Sequence, residues 1–149
     1  MTGADAATAV AELLLFRVGG ETFGVPLANA EEAVEALPVE PLPGMPAGML
    51  GVSQLRGAML RVYATGPLLG VTPGAGAQVT LIVRGRTGRA ALIVDDVEDV
   101  IVTDLSSLRP VPGSGGADPV LRGVMPHGGG LVAVCDPDAM VRVCLRGAA

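Results

Sequence analysis

Lysine and tryptophan are absent from this sequence of 149 residues, which holds a single tyrosine, a single histidine, two phenylalanines and two cysteines. Each scarcity removes a class of function. One imidazole, His127, cannot build a histidine metal cluster. Its setting, His127-Gly128-Gly129-Gly130, looks like the strings that supply oxyanion-hole amides, but no Gly-x-Ser-x-Gly elbow accompanies it. The nearest match, Gly51-Val52-Ser53-Gln54-Leu55, lacks the second glycine, so the glycine run reads as a hairpin turn. Few aromatics and a net charge of −5 argue against nucleic acid, because an acidic surface repels phosphates and Arg84, Arg86 and Arg89 have no stacking partner beside them. Cys135 and Cys144 sit in apolar segments and read as buried thiols rather than a bridge or a metal clip. No Gly-Lys-Ser/Thr phosphate loop occurs, and Gly74-Ala75-Gly76 lacks the third glycine of a dinucleotide fingerprint.

Membrane segments are also missing. Val62 to Val83 carries no charge, but Pro67, Pro73, Gly66, Gly70, Gly74 and Gly76 interrupt it, and a spanning helix must satisfy its own backbone. Met1 to Val10 has no basic residue and contains Asp5, unlike a secretory signal, so a cytoplasmic location is expected.

What is abundant is apolar and turn-forming: half the residues are hydrophobic, with 22 glycines and 12 prolines. Mean hydropathy is +0.54, enough apolar surface to offset the entropy of ordering a chain of single-domain size. The apolar runs are short and bracket turns. Leu13–Val18 and Glu21–Leu27 flank Gly19-Gly20; Met49–Leu55 and Ala58–Tyr63 flank Arg56-Gly57; Gln78–Val83 and Arg89–Val94 flank a turn at 84–88; Val120–Met125 and Leu131–Cys135 flank the glycines after His127. Four hairpins mean an all-β barrel or sandwich with minor helices. The spacing of Ala30, Ala33 and Val34 beside Glu31, Glu32 and Glu35 predicts a short amphipathic helix over 28–36, stopped by Pro38. A closing helix is expected over 137–145 with Pro137 at its start. Val97, Val100 and Val102 alternate imperfectly, as in a strand with a bulge, and Pro110 to Pro119 reads as a flexible loop. The carboxylates Asp95, Asp96, Glu98 and Asp99 lack a calcium-loop pattern and read as a solvated strand edge. Leu15, Val25, Val52, Leu55, Leu81, Val83, Leu92, Val94, Val132 and Val134 are the expected core.

Three stretches, in order, resemble the CheW family of chemosensory coupling proteins. Phe16-Arg17-Val18-Gly19-Gly20-Glu21-Thr22-Phe23-Gly24-Val25-Pro26-Leu27 is similar to its opening hairpin, with Glu32 at the place of the family's Val-x-Glu-Ile glutamate. Pro43-Gly44-Met45-Pro46 and then Met49-Leu50-Gly51-Val52-Ser53-Gln54-Leu55-Arg56-Gly57 match its proline-flanked segment and Gly-Val-x-Asn-Leu-Arg-Gly turn. Ile93-Val94-Asp95-Asp96-Val97-Glu98-Asp99-Val100 is similar to its Val-Asp-x-Val-x-x-Val strand, and Leu121-Arg122-Gly123-Val124 with Leu131 to Asp136 fits its last hairpin.

The resemblance implies two packed five-stranded SH3-like β-barrel subdomains in one domain over 10–146, with 1–9 a flexible segment. It implies no catalysis and no cofactor or metal. The implied partners are a CheA-like histidine kinase and a chemoreceptor's cytoplasmic tip. The implied partner-binding residues are Glu32, Arg56, Gly57, Ala30, Ala33 and Gly51, with Glu32 and Arg56 forming a surface ion pair. Ala30 and Ala33 stand where the family carries larger aliphatics, and Arg61 and Ala64 where it continues Pro-Val-Val-Asp-Leu. The readings set against coupling are a small-ligand-binding or enzymatic β-barrel and a CheW-like domain recruited to another signalling partner, and co-purification with a histidine kinase separates coupling from a ligand-binding or enzymatic barrel.

Overall fold

The computed structural model describes residues 10–35, 37–76, 78–111 and 120–146. The expected flexible start at 1–9 and most of the expected loop at 110–119 lie outside them. All four hairpins form, each around a glycine-bearing turn: β1 (Val10–Val18) with β2 (Glu21–Pro26), β4 (Met49–Leu55) with β5 (Ala58–Ala64), β6 (Val79–Gly85) with β7 (Gly88–Val94), and β9 (Leu121–His127) with β10 (Gly130–Cys135). Two single strands, β3 (Ala30–Glu35) and β8 (Asp96–Asp104), complete two five-stranded sheets, ordered β8-β1-β2-β10-β9 and β3-β6-β7-β5-β4. Two helices follow hairpins: α1 (Thr65–Leu69) after β5 and α2 (Pro137–Arg146) after β10. The Asp136 carboxylate accepts from the Asp138 and Ala139 amides at 3.0 and 3.3 Å and so caps α2, with Pro137 at the first helical position.

The helix expected over 28–36 is a strand. Only Leu27–Asn29 makes a 3-10 turn, and Ala30–Glu35 pairs antiparallel with β6. From Glu32 on, the residues that fit a helical face also fit period two, Glu32 and Val34 half-buried and Ala33 and Glu35 exposed, and a bulge at Glu31 separates them from Ala30. Pairing to an otherwise open sheet edge overrides the helix propensity of six short-range residues. The bulge expected in β8 is present, with Leu14 facing Val100 but Phe16 facing Val97.

Strand alternation divides the core into three parts. Leu13, Leu15, Met125, Val132 and Val134 fill the inside of the first sheet's lobe, and Leu60, Val62, Ile82 and Ala91 that of the second. The opposite faces of the same strands, with Phe16, Val18, Val25, Leu81, Val83, Leu92 and Val94, meet between the lobes and under Met140 and Val141 of α2. Eight of the ten expected core residues are buried; Val52 and Leu55 are half-buried, because β4 is an edge strand covered only by a bridge to Glu40.

The chain repeats itself with an exchange. A hairpin, a single strand, a second hairpin and a helix occur twice, as β1-β2-β3-β4-β5-α1 and β6-β7-β8-β9-β10-α2. The first hairpin of each half lies in the sheet built by the other half's remaining three strands. Each sheet has one parallel pair, β2 with β10 and β7 with β5. The bulges coincide as well: β4 skips a residue before Gly51 and β9 skips one before Gly123. Both glycines lie under an incoming strand, where a Cβ would sit 2.2 Å from the Glu40 oxygen and 2.5 Å from the Arg109 oxygen.

Candidate partner-binding face

The face expected to meet a partner is built on the second sheet by β3 and the β4–β5 turn. That turn has two central residues, Arg56 and Gly57, with φ of +50° and +79°, the positive pair that a type I′ hairpin turn requires. Glycine or asparagine suits such a position, yet Arg56 is the one non-glycine residue at positive φ among the described residues. A long cation in a strained turn is held there by its partner. The Arg56 Nη1 donates to the Glu32 Oε1 at 2.5 Å, so the expected ion pair forms, although Glu32 projects from a strand and not from a helix. The pair is exposed on the arginine side. The guanidinium hydrogen bond holds the Glu32 carboxyl below its ordinary range and pushes Arg56 above its own.

Next to it, Glu31 collects two further guanidinium groups, accepting from Arg89 Nη1 at 2.7 Å and from Arg84 Nε at 2.8 Å. Hydrogen bonds from Arg89 and then Arg84 lower its pKa. Asn29 fixes the network by donating to the Arg84 carbonyl at 2.8 Å. Two glutamates and three arginines thus tie β3 to β6, β7 and the β4–β5 turn.

The other expected site residues divide. Gly57 completes the turn, Ala33 is exposed beside Glu32, and Ala30 is half-buried against the inter-lobe core. Gly51 is buried beneath Glu40 and supports the face from below. Reading the sequence for pattern missed Leu50 and Met59, exposed on the β4–β5 hairpin; alternation was the available signal, since Leu60 and Val62 point inward and Met59 must point out. It also misplaced Asp95. Asp96, Glu98 and Asp99 are a solvated strand edge as expected, but Asp95 is half-buried and its Oδ2 accepts from the Gly19 and Gly74 amides, both at 2.8 Å. Its Oδ1 is buried and without a hydrogen bond among the described residues. Asp95 therefore clips two glycine turns together.

Among the described residues no group of three or more His, Cys, Asp or Glu that could hold a metal occurs, and Cys135 and Cys144 are both buried. Burial pushes the Cys144 thiol up to about 12, far from a reactive thiolate. A cleft of about 150 Å³ beside it is lined by Ala47, Tyr63, Pro67, Leu68 and Val143, almost wholly apolar. No helix among the described residues is long and apolar enough to cross a membrane.

The family model of the CheW-like domain matches residues 12–144. The chain belongs to the CheW-like family. Among curated proteins it is 32% identical over 103 residues to the probable chemotaxis protein CheW of Rhizobium etli, an alignment covering 68% of this chain and 66% of that protein. It is 29% identical over 133 residues to the chemotaxis protein CheW of Rhizobium meliloti, covering 87% and 86% of the two. Among solved structures, the scaffolding protein TtCheW of Thermoanaerobacter tengcongensis superposes with a TM-score of 0.77 at 22% identity, over 89% of this chain and 93% of that one. The CheW-like match thus spans both sheets and α2 up to Cys144, and the pair Glu32–Arg56 lies within it.

Proposed function

We propose that this chain is a non-catalytic adaptor coupling the cytoplasmic tip of a chemoreceptor to a CheA-like histidine kinase. The observation that carries it is the CheW-like match over nearly the whole chain, in company with relatives named as chemotaxis proteins. The chemistry of the surface agrees. Glu32, Arg56 and Gly57 form a rigid polar rim beside Ala33 and Ala30, a face suited to a helical receptor tip, with Gly51 as its buried support. Leu50 and Met59 give the neighbouring hairpin an exposed apolar edge, suited to another small β-barrel of the kind a kinase regulatory domain supplies. On this reading the protein works in the cytoplasm and uses no cofactor, metal, nucleic acid or membrane insertion of its own.

The test is co-purification from the source cell, followed by reconstitution with the recovered kinase and a receptor-tip fragment. A ternary complex whose kinase activity depends on this chain is the expected result. Recovery of neither a kinase nor a receptor would overturn the proposal.

A further inference from the structure

We propose a second recognition site on the other lobe: a cleft beside Asp99 that receives an arginine from a protein partner, presented on a segment with an aliphatic neighbour. The exchange repeat of the two halves defines this site, which is independent of the coupling role.

Register aligns the two halves residue by residue. Phe16 faces Val97 and Val83 faces Ala30, which makes Phe16 and Val83 equivalent, and likewise Val97 and Ala30. Arg17 then matches Arg84, Glu98 matches Glu31 and Asp99 matches Glu32. The pairing is physical, because Arg17 meets Glu98 at 3.7 Å just as Arg84 meets Glu31. Across the hairpins, Arg17 faces Thr22 and Arg84 faces Arg89, so Thr22 holds the place of Arg89. The turns agree too: Gly128 and Gly129 have φ of +58° and +81° against +50° and +79° at Arg56 and Gly57.

The second lobe therefore sets three arginines, Arg56, Arg84 and Arg89, against two carboxylates. The first lobe keeps both carboxylates but fills only one of the three equivalent arginine places, with Arg17; Thr22 and Gly128 stand where the other two would be. Asp99 makes no ion pair among the described residues and is exposed, whereas Glu32 is covered by Arg56. The space that the missing side chains leave is a cleft of about 320 Å³, lined by Glu98, Asp99, Thr22, His127, Gly128 and Leu131.

Charge and shape together select the occupant. Two carboxylates in a fixed strand bulge suit a planar, forked guanidinium better than a compact ammonium. Leu131 at the mouth of the cleft is 60% exposed. It would cover an aliphatic neighbour of the incoming arginine, which is why the occupant is a protein segment and not a free small cation.

The test uses the full chain, labelled with nitrogen-15, and the peptide acetyl-Val-Leu-Arg-Gly-Val-amide, with a citrulline version as control. Saturable amide shifts at Asp99, Gly128 and Leu131 are expected with the arginine peptide and not with citrulline. Asp99→Asn should weaken binding at least about tenfold. Gly128→Arg should abolish it by supplying the missing guanidinium from within, since residue 128 already has the backbone of Arg56; Thr22→Arg is the second such variant should the first fail to fold. Glu32→Gln on the opposite lobe should leave binding unchanged. Shifts that never saturate, or that persist in Asp99→Asn, would overturn the proposal. So would two other outcomes: equal affinity for arginine amide alone, which would make the cleft a small-guanidinium site, or dimerisation of the parent that Asp99→Asn removes, which would make the occupant a second copy.

Discussion

Gly51 lies directly beneath the carbonyl of Glu40, so close that any side chain at 51 would collide with that oxygen. Between them Glu40 and Val52 exchange two backbone hydrogen bonds of 2.8 and 2.9 Å, which bring the chain after β3 onto the edge of β4. Gly51→Ala should break that bridge, at a cost of about 2 to 3 kcal/mol, the range of a strained backbone position combined with lost hydrogen bonds. Urea unfolding measures it. A loss below about 0.5 kcal/mol, the size of an ordinary surface change, would mean the edge is loosely held.

Leu81 is fully buried between the lobes, on the face opposite Ile82. Leu81→Ala should cost about 2 to 5 kcal/mol, because the lobes cannot both collapse into the space left. Leu131→Ala, at an exposed position, serves as the control and should change stability by less than about 0.5 kcal/mol.

Arg56→Glu should weaken binding of a receptor-tip fragment while leaving the fold intact, since the pair is at the surface. The double change Glu32→Arg with Arg56→Glu should recover part of the loss, because the pair can form in reverse. Calorimetric titration decides it. Binding by Arg56→Glu equal to the parent's would place the receptor face elsewhere.

Glu31 and Glu32 both have their carboxyl pKa lowered from 4.5 by arginine hydrogen bonds. A group depressed in the folded state binds its proton more readily when unfolded, so its contribution is present above pH 4.5 and is lost as the pH falls through the folded value. Urea midpoints should thus be level near neutrality and fall on acidification below that value. Glu31→Gln should flatten the fall, and an unchanged acid slope in that variant would remove Glu31 from the cause.

Cys144, with its thiol raised to about 12, should not react with a disulfide reagent at neutral to mildly alkaline pH while the protein is folded, and neither should buried Cys135. Both should titrate once urea unfolds the chain. Rapid labelling of the folded protein would show that α2 opens readily.

The sequence by itself determined the hairpins, because each rests on neighbours: apolar alternation on either side of a glycine that accepts positive φ. Arg56-Gly57, Gly19-Gly20 and Gly128-Gly129 all turn where their residues say they must. It also determined most of the buried set on those strands, the start of α2 at Pro137 and, through family likeness, that Glu32 and Arg56 would meet. Only the tertiary structure decided the state of 30–35, whose alanines and glutamates fit a helix or a strand until β6 offers an unpaired edge. It alone decided that each half lends its first hairpin to the other's sheet, that Gly51 is covered, and that Asp95 is a clip and not a surface charge. These depend on contacts between residues far apart in the chain, and no local pattern encodes which distant strand arrives to satisfy an open edge or an unpaired carboxylate.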